Sequence, residues 1–286
     1  MGDAYLVISS ADALADDLVS EVVTAAGADT SRLRRLGQGA VDASLDPGQL
    51  PDLSDLRARF GVDVNVVAAS DRAKRILIAD MDSTMIGVEC IDELADFAGV
   101  KAHVAEITER AMQGELDFEQ AIHARVALLQ GLPVSVLQTC YDQRVALNPG
   151  AVELVGGMNA TGAETALVSG GFTFFTERVA AAAGFAINQA NRLEEADGHL
   201  TGRVILPVLG QQAKADALDG ICARLGVGVD QAVAIGDGAN DLAMIRKAGL
   251  GVAYKAKPAL RAEADAILDR SDLSAVLALQ GVPTGT

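Results

Sequence analysis

Apolar positions in the first 70 residues fall into short alternating blocks. Tyr5 to Ile8 form an apolar run, and Leu14, Leu18, Val22, Val23 and Ala26 then recur at helical spacing up to Gly27. Two extended runs, Arg32 to Leu36 and Ala40 to Leu45, lie around Gly37 and Gly39. Leu53 to Phe60 predicts a helix that Gly61 stops, and Val62 to Ala68 predicts a strand. The order strand, helix, strand, strand, helix, strand is that of a ferredoxin-like module. It ends at a polar, charged join, Ser70-Asp71-Arg72-Ala73-Lys74.

Beyond the join, short unbroken apolar strands alternate with helices, a pattern that suits a parallel sheet covered on both faces. The strands are Arg75 to Ala79, Glu164 to Val168 and Ala232 to Ile235. Each runs into a small, polar or Gly-rich loop: Asp80-Met81-Asp82-Ser83-Thr84, Ser169-Gly170-Gly171 and Gly236-Asp237-Gly238-Ala239-Asn240-Asp241. Doubly wound sheets bind ligands outside the carboxyl ends of their strands, so the three loops are expected to meet. Glu89 to about Asn148 is helical in pattern and too long for a crossover helix, so it reads as an inserted cap. Arg192 to Gly202 carries the Asp197-Gly198 signal of a hairpin turn. The tail, Val282 to Thr286, offers nothing to pack and is expected to fray.

The expected architecture is therefore α/β: a doubly wound parallel sheet with a helical cap inserted at about 89–148, plus a small N-terminal α+β ferredoxin-like domain. The domain boundaries read 1–73 and 74–286.

A chain of 286 residues, 50% hydrophobic, can bury a sizeable core. Its net charge of -16 excludes long-range attraction to nucleic acid or anionic membranes, because an acidic surface repels both. No stretch approaches the roughly 18 apolar residues of a membrane span. The start, Met1-Gly2-Asp3-Ala4-Tyr5-Leu6, shows neither a leader pattern nor a myristoylation signal, and a cytoplasmic protein is expected. Cys90, Cys140 and Cys222 are odd in number and widely spaced, which argues against disulfides or zinc. His103, His123 and His199 show no pair at ligand spacing.

Asp80 and Asp82 stand two apart where extended backbone sends both side chains to one side. Carboxylates that close need a cation or a shared proton, which points to a hard metal such as Mg²⁺ or to an acid/base pair. The plainer alternative is that Asp82 and Ser83 cap a turn. Asp237, Asn240 and Asp241 add oxygen ligands of the kind Mg²⁺ takes, without the ligand spacing of an EF-hand. Ser169-Gly170-Gly171 opens an apparent helix, Phe172 to Ala183, and is either an anion site at a helix N-terminus or only a turn. Lys214, near the start of a helix predicted over Gln211 to Leu225, is either a point charge for phosphate or a solvated side chain.

Together these segments resemble the haloacid dehalogenase superfamily of aspartate-based phosphatases, whose D-x-D-x-[TV], Ser or Thr, Lys and acidic-loop motifs occur here in the same order. The run Asp80 to Glu93 sharpens the resemblance to the phosphoserine phosphatase family, as do Thr108 to Phe118, Arg125-Val126 and Ser169 to Phe175. The likeness covers roughly Lys74 to Val276, and the N-terminal module resembles an ACT-type amino-acid-binding domain in element order and position. One departure stands out: Pro207 and Gly210 occupy the neighbourhood where relatives commonly carry an acidic residue before the lysine.

The resemblance implies that Asp80 is the nucleophile, forming an aspartyl-phosphate, and that Asp82 serves as acid and then base while its backbone carbonyl binds the metal. It implies Mg²⁺ held by Asp80, Asp82 and Asp237, with Lys214 also catalytic. Glu89, Met112, Phe118, Arg125, Ser169, Gly170, Lys214 and Asn240 are implied to face substrate, with Asn240 and Asp241 steadying the metal's water shell or Lys214. Within that set Glu89 holds the substrate ammonium, Arg125 its carboxylate, and Met112 and Phe118 close over the carbon chain. The implied reaction is hydrolysis of O-phosphoserine, the last step of serine biosynthesis. Phosphate transfer to a small alcohol such as homoserine and a non-catalytic amino-acid sensor are the alternatives. An amino-acid ligand at the N-terminal module and a homodimer are optional partners; nucleic acid and membrane are not expected.

Overall fold

The structure, a computed structural model, describes residues 4–46, 48, 50–112 and 115–284, without the Met112 side chain. Its first sheet is built from β1 (Ala4–Ser9), β2 (Asp29–Gly37), β3 (Ala40–Leu45) and β4 (Asp63–Ala68), in the order β2-β3-β1-β4 with every neighbouring pair antiparallel. Helices α1 (Asp16–Ala25) and α2 (Leu53–Phe60) cover one face, where Leu6, Ile8, Val41, Ala43 and Val64 pack with Val19, Val22, Val23 and Leu56. Asp52 caps α2 by accepting from the Ser54 and Asp55 N–H groups, and Gly61, at φ 67°, ends it.

The larger body holds seven strands: β5 (Ile76–Ala79), β6 (Glu164–Phe172), β7 (Ile187–Ala196), β8 (His199–Ile205), β9 (Ala232–Gly236), β10 (Leu250–Tyr254) and β11 (Ala266–Leu268). Their order is β11-β10-β9-β5-β6-β7-β8, parallel apart from the β7–β8 hairpin. That hairpin turns at Asp197-Gly198, both at positive φ. The unbroken apolar run of β5 follows from its central place. Leu77 and Ala79 pack among α7 (Ala151–Ala160), α8 (Thr173–Ala183) and the last helix (Ala275–Leu279), while Ile76 and Ile78 pack against α9 (Gln211–Leu225) and α10 (Leu242–Lys247). The chain winds to β6 and β7 on one side of β5 and to β9 and β10 on the other, so the end of β5 is the switch point where ligands bind.

Between β5 and β6 stand α3 (Cys90–Phe97), α4 (Lys101–Met112), α5 (Phe118–Ala127) and α6 (Ser135–Arg144), the expected helical insertion. A bridge between Ile86 and Leu147 brings its entry and exit side by side. The Asn148 amide reinforces them by donating to the Thr84 carbonyl at 2.7 Å.

At the polar join, Arg72 is buried: it donates to Asp42 Oδ2 at 2.6 Å and to the Leu279 and Ala278 carbonyls, each at 2.8 Å, with its guanidinium 4.5 Å from the Tyr5 ring centroid. Asp42, fully buried, is also gripped by Arg34 through two bonds. Of the tail expected to fray, residues 285 and 286 lie outside the described residues, while Thr284 is held: its N–H donates to the Leu36 carbonyl at 2.6 Å. A polar tail anchored by its backbone leaves no trace in the hydrophobic pattern. Further bonds join the two sheets: Asn65 exchanges two with the Ile267 backbone, and buried Asp63 accepts the N–H groups of Asp269, Arg270 and Ser271. All three cysteines are free and buried. No helix among the described residues is long and apolar enough to cross a membrane.

Candidate active site

Beyond β5 the backbone stays extended at Asp80 (φ −71°, ψ 159°), whose N–H is stitched to the Ile235 carbonyl of β9 at 3.0 Å. The Asp80 carboxylate is thereby held in the sheet's mouth, where Oδ1 accepts from the Met81 N–H at 2.7 Å. Asp82 is extended as well, and the next residue, Ser83, turns the chain in the left-handed region at φ 56°. That turn aims the Ser83 hydroxyl at Glu89 Oε1, 2.7 Å away, at the threshold of α3. Asp82 lies between α3 and the loop after β6: Oδ1 accepts from the Cys90 N–H at 3.4 Å, and Oδ2 approaches Gly171 so closely that a Cβ there would sit 2.9 Å away.

Asp237, Asn240 and Asp241 follow β9. Asp80, Asp237 and Asp241 are all buried and offer carboxylate oxygens within 4.8 Å of one another, so residues 80 and 237 meet as expected. Lys214, in the first turn of α9 and only 2% exposed, lies 2.7 Å from Asp80 Oδ1 and 2.6 Å from Asp241 Oδ1. The second oxygen of Asp241 accepts the N–H groups of Asp237 and Gly238, at 3.2 and 3.1 Å. Asp241 is thus committed to the protein, and it supplies the lysine's support that Pro207 and Gly210 do not. Asn240 donates to Asp80 Oδ2 at 3.2 Å, beside the expected nucleophile.

Charge in this cluster is out of balance: three buried carboxylates share one buried ammonium. Burial, then the Asp241 charge, raises the Asp80 pKa well above the usual carboxylate range in spite of Lys214. The same two causes push Asp237 up to about 6. Burial and Glu89 push Asp82 up to about 7. For Lys214, burial disfavours the ammonium, but Asp241 and Asp80 outweigh it and hold the proton more firmly than in water. A divalent cation restores the balance, and an all-oxygen donor set with neither nitrogen nor sulfur suits a hard one. With Asp241 occupied, Asp80 and Asp237 are the carboxylates that fit that role.

Ser169 is buried, and its hydroxyl accepts the Gly171 N–H at 2.9 Å. The segment expected to open a helix is instead a bulge at the end of β6, with α8 beginning at Thr173. On the cap side, Phe118 begins α5 and its ring meets the clefts of Gly170 and Gly210, where Cβ atoms would lie 3.0 and 3.3 Å from it. Arg125, on α5, is half-buried; its Nε donates to the Ala121 carbonyl at 3.3 Å, and its other nitrogens make no hydrogen bond among the described residues. Burial lowers its pKa, while Asp92, Glu89 and Asp82 resist the shift. The expected contribution of the Met112 side chain lies outside the described residues. Two residues that tie these loops together, Ser83 and Asn191, were not legible as such. The one faint signal for Asn191 is an amide inside an extended run.

Residues 77–246 match the haloacid dehalogenase-like hydrolase family. The chain is 43% identical to a phosphoserine phosphatase of Streptomyces coelicolor over 91% of its own length, spanning 65% of that protein. With a phosphoserine phosphatase of Polaromonas sp. it shares 44% identity, over 77% of this chain and 96% of the relative. In structure it is similar to a HAD family hydrolase from Salmonella enterica serovar Typhi, with TM-score 0.88, 29% identity and 98% of each chain covered. It is also similar to the phospho-aspartyl intermediate analogue of a phosphoserine phosphatase, with TM-score 0.67, 40% identity, and 72% of this chain and 98% of that one covered.

Proposed function

This chain belongs to the haloacid dehalogenase-like hydrolase family, and from that premise we propose that it is a magnesium-dependent phosphatase hydrolysing O-phosphoserine to serine and phosphate. The observation that carries this reading is the meeting of Asp80, Asp237, Asp241 and Lys214 at the switch point of the sheet. Asp80, the Asp82 carbonyl and Asp237 are the groups that would hold Mg²⁺, which would supply positive charge to the phosphate oxygens.

The chain's own residues do the rest. An ionised Asp80 oxygen attacks phosphorus, the bond to the serine oxygen breaks, and an aspartyl-phosphate forms. Asp82 gives its proton to the departing serine oxygen and afterwards takes one from the water that cleaves the acyl-phosphate. Its pKa of about 7 supports both roles, since either protonation state is accessible near neutrality. Lys214, the Ser169 hydroxyl and the Gly170 N–H hold phosphate oxygens, and Asn240 steadies Asp80.

The cap selects the substrate. Among the described residues Arg125 keeps N–H groups without a hydrogen-bond partner in an acidic surrounding, which suits a two-pronged grip on a carboxylate, and Glu89 offers the opposite charge to an ammonium. Phe118, seated on Gly170 and Gly210, excludes water from the reacting phosphate. Residues 1–73 are read as an ACT-like regulatory or dimerisation domain, supported by their ferredoxin-like strand order.

Phosphate release measured over a panel of small phosphomonoesters, with and without Mg²⁺, tests the proposal. O-phosphoserine is expected to be preferred and turnover to need the metal; equal rates across the panel would overturn the substrate. Arg125→Ala is expected to raise KM for O-phosphoserine about 10- to 100-fold, the worth of one charged double hydrogen bond, and to leave KM for phosphoethanolamine nearly unchanged. Equal losses for both esters would remove Arg125 from carboxylate binding.

Thermal unfolding reports the metal separately. The folded-state pKa values of Asp237 and Asp82 are raised to about 6 and about 7, so in metal-free protein their contribution to stability is fullest in acid and is lost as pH rises through those values. Magnesium competes with these protons. At pH 8 and saturating Mg²⁺ the melting temperature is expected to rise by about 5 °C, and at pH 5 to stay put. A rise of the same size at both would place the ion elsewhere.

A further inference from the structure

We propose that Asn191 is a positioning residue for phosphate: it ties the anion-binding bulge at the end of β6 to the loop that leads into the lysine-bearing helix α9. The inference rests on the phosphatase reading. It begins in the strand register. Val168 faces Gln189 and Phe172 faces Asn191, so Ser169, Gly170 and Gly171 bulge out opposite the single residue Ala190. A bulge takes its backbone groups out of the ladder, and the Gly170 carbonyl needs another partner.

Asn191, 1% exposed, supplies it by donating Nδ2 to the Gly170 carbonyl at 2.9 Å. Its remaining capacity goes to Leu209: the Leu209 N–H donates to Oδ1 at 2.7 Å, and Nδ2 donates to the Leu209 carbonyl at 3.3 Å. The Leu209 N–H fixes the orientation of the amide, since only an oxygen accepts from it. One acceptor and two donors are used together, a set that neither a carboxylate nor a hydroxyl of that size offers.

The two clamped segments carry the phosphate-facing groups. Ser169 and Gly170 are on one; Leu209 precedes Gly210, the residue before α9, whose first turn holds Lys214. The Phe118 ring then rests on Gly170 and Gly210, so the cap closes on a floor whose width the amide sets. None of these contacts involves Asp80 or Asp237. Asn191 therefore governs phosphate affinity while leaving the metal cluster alone.

The test uses the full chain with Asn191→Asp, which keeps the shape but loses both donors, and Asn191→Ser, which is too short to span the gap. Binding of inorganic phosphate in saturating Mg²⁺ is measured by calorimetry, Mg²⁺ binding by a separate titration, and kcat and KM with O-phosphoserine and p-nitrophenyl phosphate. For both variants phosphate affinity is expected to fall at least about 10-fold, kcat/KM to fall about 10- to 100-fold chiefly through KM, and Mg²⁺ affinity to stay within about 2-fold of wild type. Phosphate affinity within about 2-fold of wild type in either folded variant overturns the proposal, as does a parallel loss of Mg²⁺ affinity, which would mark general loosening. Should wild type leave O-phosphoserine untouched, the substrate reading fails, and the inorganic phosphate titration still decides the role of Asn191.

Discussion

Asp80→Asn is expected to cut phosphate release by about 10⁴-fold or more, the scale on which enzymes lose rate when a covalent nucleophile is removed. The substitution keeps the side chain's shape but replaces the attacking oxygen with an amide that has no charge to share with phosphorus. Labelling of the protein by phosphate from ³²P-phosphoserine is expected to vanish with it. Stability is expected to move the other way or not at all. Burial and Asp241 both oppose ionisation of Asp80, and Lys214 keeps its 2.6 Å bond to Asp241. A metal-free melting temperature no lower than wild type, together with dead catalysis, separates lost chemistry from lost fold. Wild-type labelling in the variant would assign the nucleophile elsewhere.

Lys214→Met is expected to damage both. Among the described residues the ammonium is the one cation bonded to Asp80 and Asp241, and methionine fills similar space without charge. Removing one partner of a buried ionic group leaves the others uncompensated at a cost of about 3–5 kcal/mol. Turnover is expected to fall a further 10²- to 10³-fold, roughly the loss on removing one group that stabilises transition-state charge. Chemical denaturation in EDTA reads the first effect and phosphate release in Mg²⁺ the second. A variant as stable as wild type would mean that the pairing with Lys214 contributes nothing to the fold.

Much of the site was readable because its parts obey local rules. An apolar run bounded by Asp80-Met81-Asp82 or by Gly236 to Asp241 marks a strand end on its own, and the doubly wound pattern then requires such ends to converge. What stayed hidden depends on pairing over distance. The support of Lys214 by Asp241, 27 positions away, was implied by the family resemblance but by no local pattern around the lysine. Asn191 stands just before the hairpin segment read from Arg192 and was not singled out; its role shows only with the β6 bulge opposite it. Ser83 reads as a turn residue, and only its left-handed backbone shows that the hydroxyl is aimed at Glu89. The burial of Arg72 had no signal at all, since nothing near it in sequence announces the buried Asp42 that receives it.

The way the first sheet is finished bears on how the protein is made. Asp63, in β4, is 1% exposed, and the N–H groups that satisfy its carboxylate come from residues 269–271. Arg72 binds the carbonyls of Ala278 and Leu279, and Thr284 closes on Leu36. During synthesis, which proceeds from the N-terminus, these early residues leave the ribosome some two hundred positions ahead of their partners. A segment translated well ahead of residues 269–284 therefore waits for them to be completed, and a nascent chain stalled before residue 269 carries that sheet with its acidic seam still open to water.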